Sequence, residues 1–240
     1  MANIQQCLII TATIQPNSNY VAQTSANDRR DEYLEVLNFY TNNFSGDIFF
    51  VENSAYDFNN DEDFKSLFKF KNVQLLEFQK SVEVEKGKGY QEFEVLDFVV
   101  SQLGDKYDEF IKVSGRYLTV NFKKLTYQKN NGIIIDRHKK KNITITSFFR
   151  CKVDVYLKLL KNCYQEANDS QGIFIEHVVY NKLKNIDKKI IDLFDETPIY
   201  IGVSGSYGGS LNRHPIIIKL INIERNLLKV LNIKEFVIEY

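Results

Sequence analysis

Residues Gln6–Ile14 read Gln-Cys-Leu-Ile-Ile-Thr-Ala-Thr-Ile, an apolar run without the alternation of a half-exposed strand. Such a run, stopped by Pro16, predicts a strand buried on both faces, and strands of that kind belong to parallel sheets covered by helices. Asp47–Val51 repeats the pattern, and Val73–Phe78 supplies a third strand. Between the first two, Asn27–Asn43 predicts a helix. Ser25 or Asn27 caps it, Asp28 and Asp31 lie in the first turn, and Tyr33, Leu34, Leu37 and Tyr40 recur at helical spacing. Parallel neighbours need a crossover helix, so this order restricts the topology sharply. The predicted class is α/β, with a Rossmann-type, mostly parallel central sheet flanked by helices. The chain of 240 residues is long enough to bury one large core of this kind.

Composition removes several functions. Lys+Arg and Asp+Glu are both 31, so there is no basic excess of the kind that whole-surface nucleic-acid binding needs. Cys7, Cys151 and Cys163 show neither zinc-ligand spacing nor a paired His, and so small a count fits a reducing compartment. Met1-Ala2-Asn3 runs straight into a strand without a basic region and cleavage site, and no apolar run approaches about 18 residues. A cytoplasmic location is expected.

In open α/β sheets, ligands bind beyond the carboxyl ends of the strands. Thr11 and Thr13 end the first strand, and Glu52 and Asn53 end the second. These side chains suit a base or ribose, and equally a satisfied strand end or turn cap. Lys86-Gly87-Lys88-Gly89 then opens a helix continuing through Phe93, Leu96, Val99, Val100 and Leu103. Free N–H groups and the positive dipole end at such a start attract phosphate. The spacings of the P-loop and of the dinucleotide fingerprint are absent. Phe110–Asn121 reads as strand, polar break, strand. Lys112 and Arg116 flank Ser114-Gly115, so an anion can approach the backbone between two cations, although a plain turn with solvated charges has the same sequence.

Lys112-Val113-Ser114-Gly115-Arg116-Tyr117 follows a helix start of the form Lys-Gly-Tyr-x-Glu, at Lys88 to Glu92. Together they resemble the Lys-(Ile/Val/Leu)-(Ser/Thr)-Gly-Arg-Tyr signature of bacterial GT-A-type glycosyltransferases that build capsule, lipopolysaccharide and related surface glycans. The resemblance spans roughly residues 6–180 and is specific at these two motifs. It implies sugar transfer from a nucleotide-sugar, UDP-linked by expectation, to a hydroxyl of a glycan or lipid-linked glycan, with no nucleic-acid partner. Thr11, Thr13, Glu52 and Asn53 would hold base and ribose. Lys88, Gly89, Lys112, Ser114, Gly115 and Tyr117 would line the diphosphate, with Arg116 acting on the leaving group. GT-A enzymes usually carry Asp-x-Asp here to hold a divalent metal, whereas this chain has Ser114-Gly115-Arg116. No metal ligand is therefore assigned, dependence on Mn or Mg stays open, and cations are expected to do part of the metal's work.

The same resemblance makes Glu176, at a helix start in Gly172–Tyr180, the general base of an inverting transfer. His177 would share or orient that role, and Asp136 is next in line as base. Asp136 and Tyr207 are assigned to the acceptor side. Tyr207 lies in the Gly/Ser-rich stretch Ser204–Ser210, which reads as a lid or a linker. His138-Lys139-Lys140-Lys141 is a solvated basic run or a lure for an anionic lipid. Ile143–Phe149 is expected as a strand, and Arg150–Asn162 and Leu183–Phe194 as helices. The glycosyltransferase domain is set at 1–212. The tail, 213–240, reads as a basic amphipathic helix that packs on the domain, in a homodimer, or on a membrane surface. Two other classes fit the same crevice. One is a nucleotidyltransferase with metal-binding acids drawn from Glu83, Glu85 and Glu92, and the other is a non-catalytic nucleotide- or glycan-binding module.

Overall fold

The computed structural model describes residues 5–16, 25–79, 81, 83–202 and 209–238. Its strands are β1 (Gln6–Ala12), β2 (Asp47–Glu52), β3 (Val73–Glu77), β4 (Glu109–Ser114), β5 (Leu118–Thr119), β6 (Ile133–Ile134), β7 (Arg137–His138), β8 (Ile143–Thr144), β9 (Phe148–Lys152), β10 (Ile191–Asp192) and β11 (Tyr200–Ile201). The helices are α1 (Ala26–Asn43), α2 (Glu62–Phe68), α3 (Lys88–Gln102), α4 (Phe122–Thr126), α5 (Val153–Leu159), α6 (Ile175–Leu183) and α7 (Pro215–Val230).

The main sheet has seven strands in the order β10-β6-β9-β4-β1-β2-β3. β3, β2, β1 and β4 run parallel, and β9 is antiparallel to both β4 and β6. The expected α/β class and mostly parallel sheet are observed. β1 shows why its sequence lacks alternation. Cys7 and Ile9 enter one core cluster with α3 and α6 residues, while Leu8 and Ile10 enter a second with α1 and α2 residues, and all four are 0% exposed. A buried Glu109–Arg150 pair (2.7 Å) ties β4 to β9, with Arg150 also donating to the carbonyls of Leu125 and Gln128.

Ser25 caps α1 by accepting from the Asp28 N–H. The Ile143–Phe149 stretch forms two strands, β8 and the start of β9, because the chain turns between them. Arg150 therefore sits in β9, and α5 begins at Val153. The helix expected over Leu183–Phe194 is not formed: α6 ends at Leu183, and the segment after it supplies the edge strand β10. α7 packs on the domain through Ile221 and Leu228, which join Leu193 and Phe236 in a small satellite cluster. No helix among the described residues is long and apolar enough to cross a membrane.

Candidate active site

The register places Thr11 beside Ser114 and Ala12 beside Glu52, so the carboxyl ends of β1, β2 and β4 form one edge. Helix α3 follows β3, and its second turn carries Glu92 over this edge. One oxygen of Glu92, Oε1, accepts from Lys112 Nζ (2.7 Å), Thr11 Oγ1 (2.8 Å) and Ser114 Oγ (2.8 Å). Burial opposes the charge of Glu92, but the Lys112 ammonium and the hydroxyls prevail and hold its pKa below the usual carboxylate value.

This hub corrects one expectation. Lys112 is 0% exposed, and its ammonium donates to Glu92, Ser114 Oγ (2.9 Å) and the Thr146 carbonyl (2.8 Å). Three donors meet three acceptors, so nothing is left for a phosphate. Burial lowers its pKa, and the Glu92 charge opposes that shift. Lys112 is a strut across the strand ends rather than a diphosphate contact.

Glu52 is corrected in the same way. It is 1% exposed, and both its oxygens serve the chain itself. Oε1 takes the Ile14 N–H (3.1 Å) and the Ser54 hydroxyl, while Oε2 takes the Ser54 (2.9 Å) and Tyr56 (3.2 Å) N–H groups. The turn cap is what this acid does, and ribose binding finds no open oxygen. Asn53 is buried beside it and accepts from Thr13 Oγ1 (2.6 Å). The Thr13 carbonyl accepts from Arg29 on α1, and its N–H donates to Tyr33 (3.0 Å).

Gly115 is required for a reason internal to the protein. A Cβ there would stand 2.6 Å from the Thr11 carbonyl oxygen and 2.8 Å from the Tyr33 ring. The close approach is between β4 and β1, not between backbone and ligand. Tyr117 lies edge-on to Tyr200, where β5 pairs with β11.

Arg116 differs from Lys112. It is 7% exposed, and its Nε pairs with Glu32 on α1. Its Nη2 is buried and has no hydrogen-bond partner among the described residues. An orphaned guanidinium nitrogen at a strand end is costly unless an acceptor arrives.

The start of α3 is already occupied by an acid. The N–H groups of Lys88 and Gly89 face the Asp169 carboxylate, and a Cβ at Gly87 (φ 94°) would collide with that carboxylate. A Cβ at Gly89 would lie 2.6 Å from Ile175 Cγ2 on α6. These glycines allow α3, α6 and the Asp169 turn to close together, so the expected open phosphate cradle is filled by a side chain of the protein. Burial lifts the Asp169 pKa, with the Lys88 charge opposing, and burial lowers that of Lys88 itself.

Glu176 occupies the first turn of α6, as expected. Burial raises its pKa; the charges of Glu92 and Asp169 add to the rise, and Lys88 works against it. Its neighbour His177 packs beside the Phe174 ring (centroids 5.7 Å apart). Asp136 is corrected outright. Both its oxygens are gripped by Arg225 of α7 at 2.8 Å, so it is neither a base nor an acceptor contact. Tyr207 lies outside the described residues.

Thus Thr11, Ser114, Lys88, Arg116 and Glu176 gather at one edge, together with Glu92, offered by the sequence only as a metal-binding acid of the alternative nucleotidyltransferase, and Asp169, which the sequence reading did not single out. Glu92 was visible in the Lys-Gly-Tyr-x-Glu motif, but Asp169 carries no local signal. Among the described residues, no group of three His, Cys, Asp or Glu side chains could hold a metal ion. Glu92 has Oε1 taken by three donors and Asp169 faces two N–H groups, so these acids do not fit a hard divalent cation.

No protein-family model matches the chain, and no curated protein matches it in sequence. Solved structures do match. A protein from Desulfovibrio desulfuricans assigned as a nucleotide-diphospho-sugar transferase aligns at 10% identity and a TM-score of 0.51, covering 80% of each chain. A 4-diphosphocytidyl-2C-methyl-D-erythritol synthase from Anaerococcus prevotii aligns at 12% identity and 0.44, over 92% of this chain and 95% of that one. A bifunctional glycosyltransferase aligns at 13% identity and a TM-score of 0.44, over 75% of this chain and 37% of its own length. The chain therefore has the fold of the first of these, a nucleotide-diphospho-sugar transferase-like α/β fold.

Proposed function

We propose that this chain is a cytoplasmic glycosyltransferase that moves a sugar from a nucleotide-sugar to a hydroxyl of a surface glycan or its lipid-linked precursor, with inversion. The observation that carries the reading is Arg116, a buried guanidinium with an unpartnered Nη2 beyond the end of β4. An anionic oxygen of the donor diphosphate is the chemical complement of that nitrogen. Thr11 and Ser114 are held at the same edge by Glu92.

The proposed step is a single displacement. The acceptor oxygen forms a bond to the anomeric carbon as the bond from that carbon to the diphosphate breaks. The acceptor proton passes to Glu176, whose raised pKa suits proton abstraction. The electron pair of the broken bond leaves on the diphosphate, where Arg116 receives the growing charge, assisted by Lys88. Catalysis rests on positioning and fixed charge, and the Glu92–Lys112 strut keeps the strand ends in place without joining the chemistry.

The test is a turnover assay over a panel of nucleotide-sugars, following release of the nucleoside diphosphate. Arg116→Ala is expected to lower kcat/KM by about 10²-fold, and Glu176→Gln to lower kcat by 10²-fold or more while donor binding persists. Release of pyrophosphate from a nucleoside triphosphate would assign nucleotidyl transfer instead. Unchanged turnover in Arg116→Ala would remove the diphosphate role from this residue.

A further inference from the structure

Helix α7 is amphipathic, and two of its charged residues, Glu224 and Arg225, face inward, while Lys219, Asn226 and Lys229 are exposed. Ile221, Glu224, Arg225 and Leu228 are buried against the domain, Arg225 on Asp136 and Glu224 Oε1 on the Val237 (2.9 Å) and Ile238 (3.0 Å) N–H groups. The outward face is apolar. Ile216, Leu220, Ile223, Leu227 and Val230 are 63, 47, 50, 59 and 84% exposed. Their spacing alternates four and three residues through the helix, the strict a/d seam of helix-on-helix packing, not the broader stripe that meets a globular core. Ile217 and Leu231 widen the seam. Together these side chains expose on the order of 700 Å² of apolar surface. That exceeds the ~300–600 Å² largest patch of a typical monomer and approaches the ~800 Å² that each partner contributes to a standard stable interface.

We propose that a second copy of this chain covers the stripe with its own α7, giving a homodimer joined helix to helix. The charge pattern selects this occupant over a lipid surface. A helix lying in a membrane interface carries several cations on its polar face and often aromatics on its apolar one. α7 contains no aromatic residue, and of its two lysines Lys229 pairs with Asp195 (2.7 Å), leaving Lys219 as the cation flanking the stripe. Its opposite face is fixed to the domain by the Asp136–Arg225 pair, so it cannot roll to present charge to headgroups. An apolar stripe without acids is also self-complementary, as a two-fold interface requires, because no like charges oppose each other along it. The dimer is independent of the catalytic proposal, since none of the stripe residues is given a part in that chemistry.

The test is sedimentation velocity with light scattering on the full chain and on Leu220→Lys/Leu227→Lys. Leu220 and Leu227 are 47 and 59% exposed, and lysine is accepted in an exposed helix, so the variant is expected to keep the wild-type melting curve by circular dichroism. The expected result is a wild-type dimer and a monomeric variant, with the dimer dissociation constant raised at least ~100-fold by loss of two buried leucines. A wild type that is monomeric at every concentration overturns the proposal. So does a dimer that the double substitution leaves intact. A monomer that floats with phosphatidylglycerol-containing vesicles overturns it in favour of a membrane face.

Discussion

Replacing Glu92 by Gln keeps the shape of the hub and an oxygen able to accept, but removes the only charge that Lys112 touches at 2.7 Å. Lys112 is completely buried, and the Glu92 side chain is 26% exposed. Breaking a buried pair by removing one partner costs about 3–5 kcal/mol, and the partial exposure of Glu92 puts this case near 3 kcal/mol. That is a large share of the ~5–15 kcal/mol that holds a domain folded. The double variant Glu92→Gln/Lys112→Met removes both charges, so its cost should fall short of the sum of the single costs by about 2 kcal/mol. A second signature separates charge from shape. In Glu92→Gln the buried Lys112 escapes by losing its proton, while the unfolded chain keeps it up to about pH 10.4. The unfolded state then binds more protons, so the stability of the variant rises with pH, at up to about 1.4 kcal/mol per unit once Lys112 is neutral in the fold. Urea unfolding followed by far-UV circular dichroism at about pH 7 and about pH 9 measures both effects. Strictly additive costs, or a Glu92→Gln penalty unchanged between those pH values, would refute the strut.

Gly115→Ala should destabilise by about 2 kcal/mol, a Tm drop of roughly 4–8 °C, because its Cβ meets the Thr11 carbonyl and the Tyr33 ring; calorimetry reads it. Asp136→Asn strands the Arg225 charge in a buried site and should cost about 3 kcal/mol, with amide exchange rising first in 215–238. For Glu176, a base must be ionised, and burial raises its folded pKa, so kcat/KM should climb with pH through an acid limb above the usual ~4.3. The same shift means that the folded state holds this proton more tightly; its stabilising contribution is present at low pH and is lost as pH rises through the folded pKa. A pH–rate profile of the wild type with its acid limb at an ordinary glutamate value would contradict that environment.

The parts of the fold legible in sequence were those set by local pattern. The unbroken apolar run of β1 and the spaced Tyr33, Leu37 and Tyr40 of α1 announce their environments within a few residues. β8 and β10 are two-residue strands, with too little sequence to show a period, and the extent of the five-residue β9 is decided by its pairing with β4 and β6. At the site, the motif residues were found but their duties were not. A lysine, a glycine and an acid beside a strand end look alike whether they serve a ligand or the protein. Only the structure shows Lys112 spent on Glu92, Gly115 spent on Tyr33, and Glu52 spent on Ser54. The grip of Arg225 on Asp136 joins residues 89 positions apart, which no local spacing encodes.

The place of β1 in the sheet has a consequence for synthesis. Its neighbours are β2, made soon after it, and β4, whose Glu109 pairs with Gln6. At ribosomal rates of about 5–20 residues per second, β1, β2 and β3 exist for several seconds before β4 emerges, with one edge of the most apolar strand unpaired. That open edge is a template for another chain's strand. Nascent chains stalled between β3 and β4 should therefore be the form of this protein that most needs a chaperone.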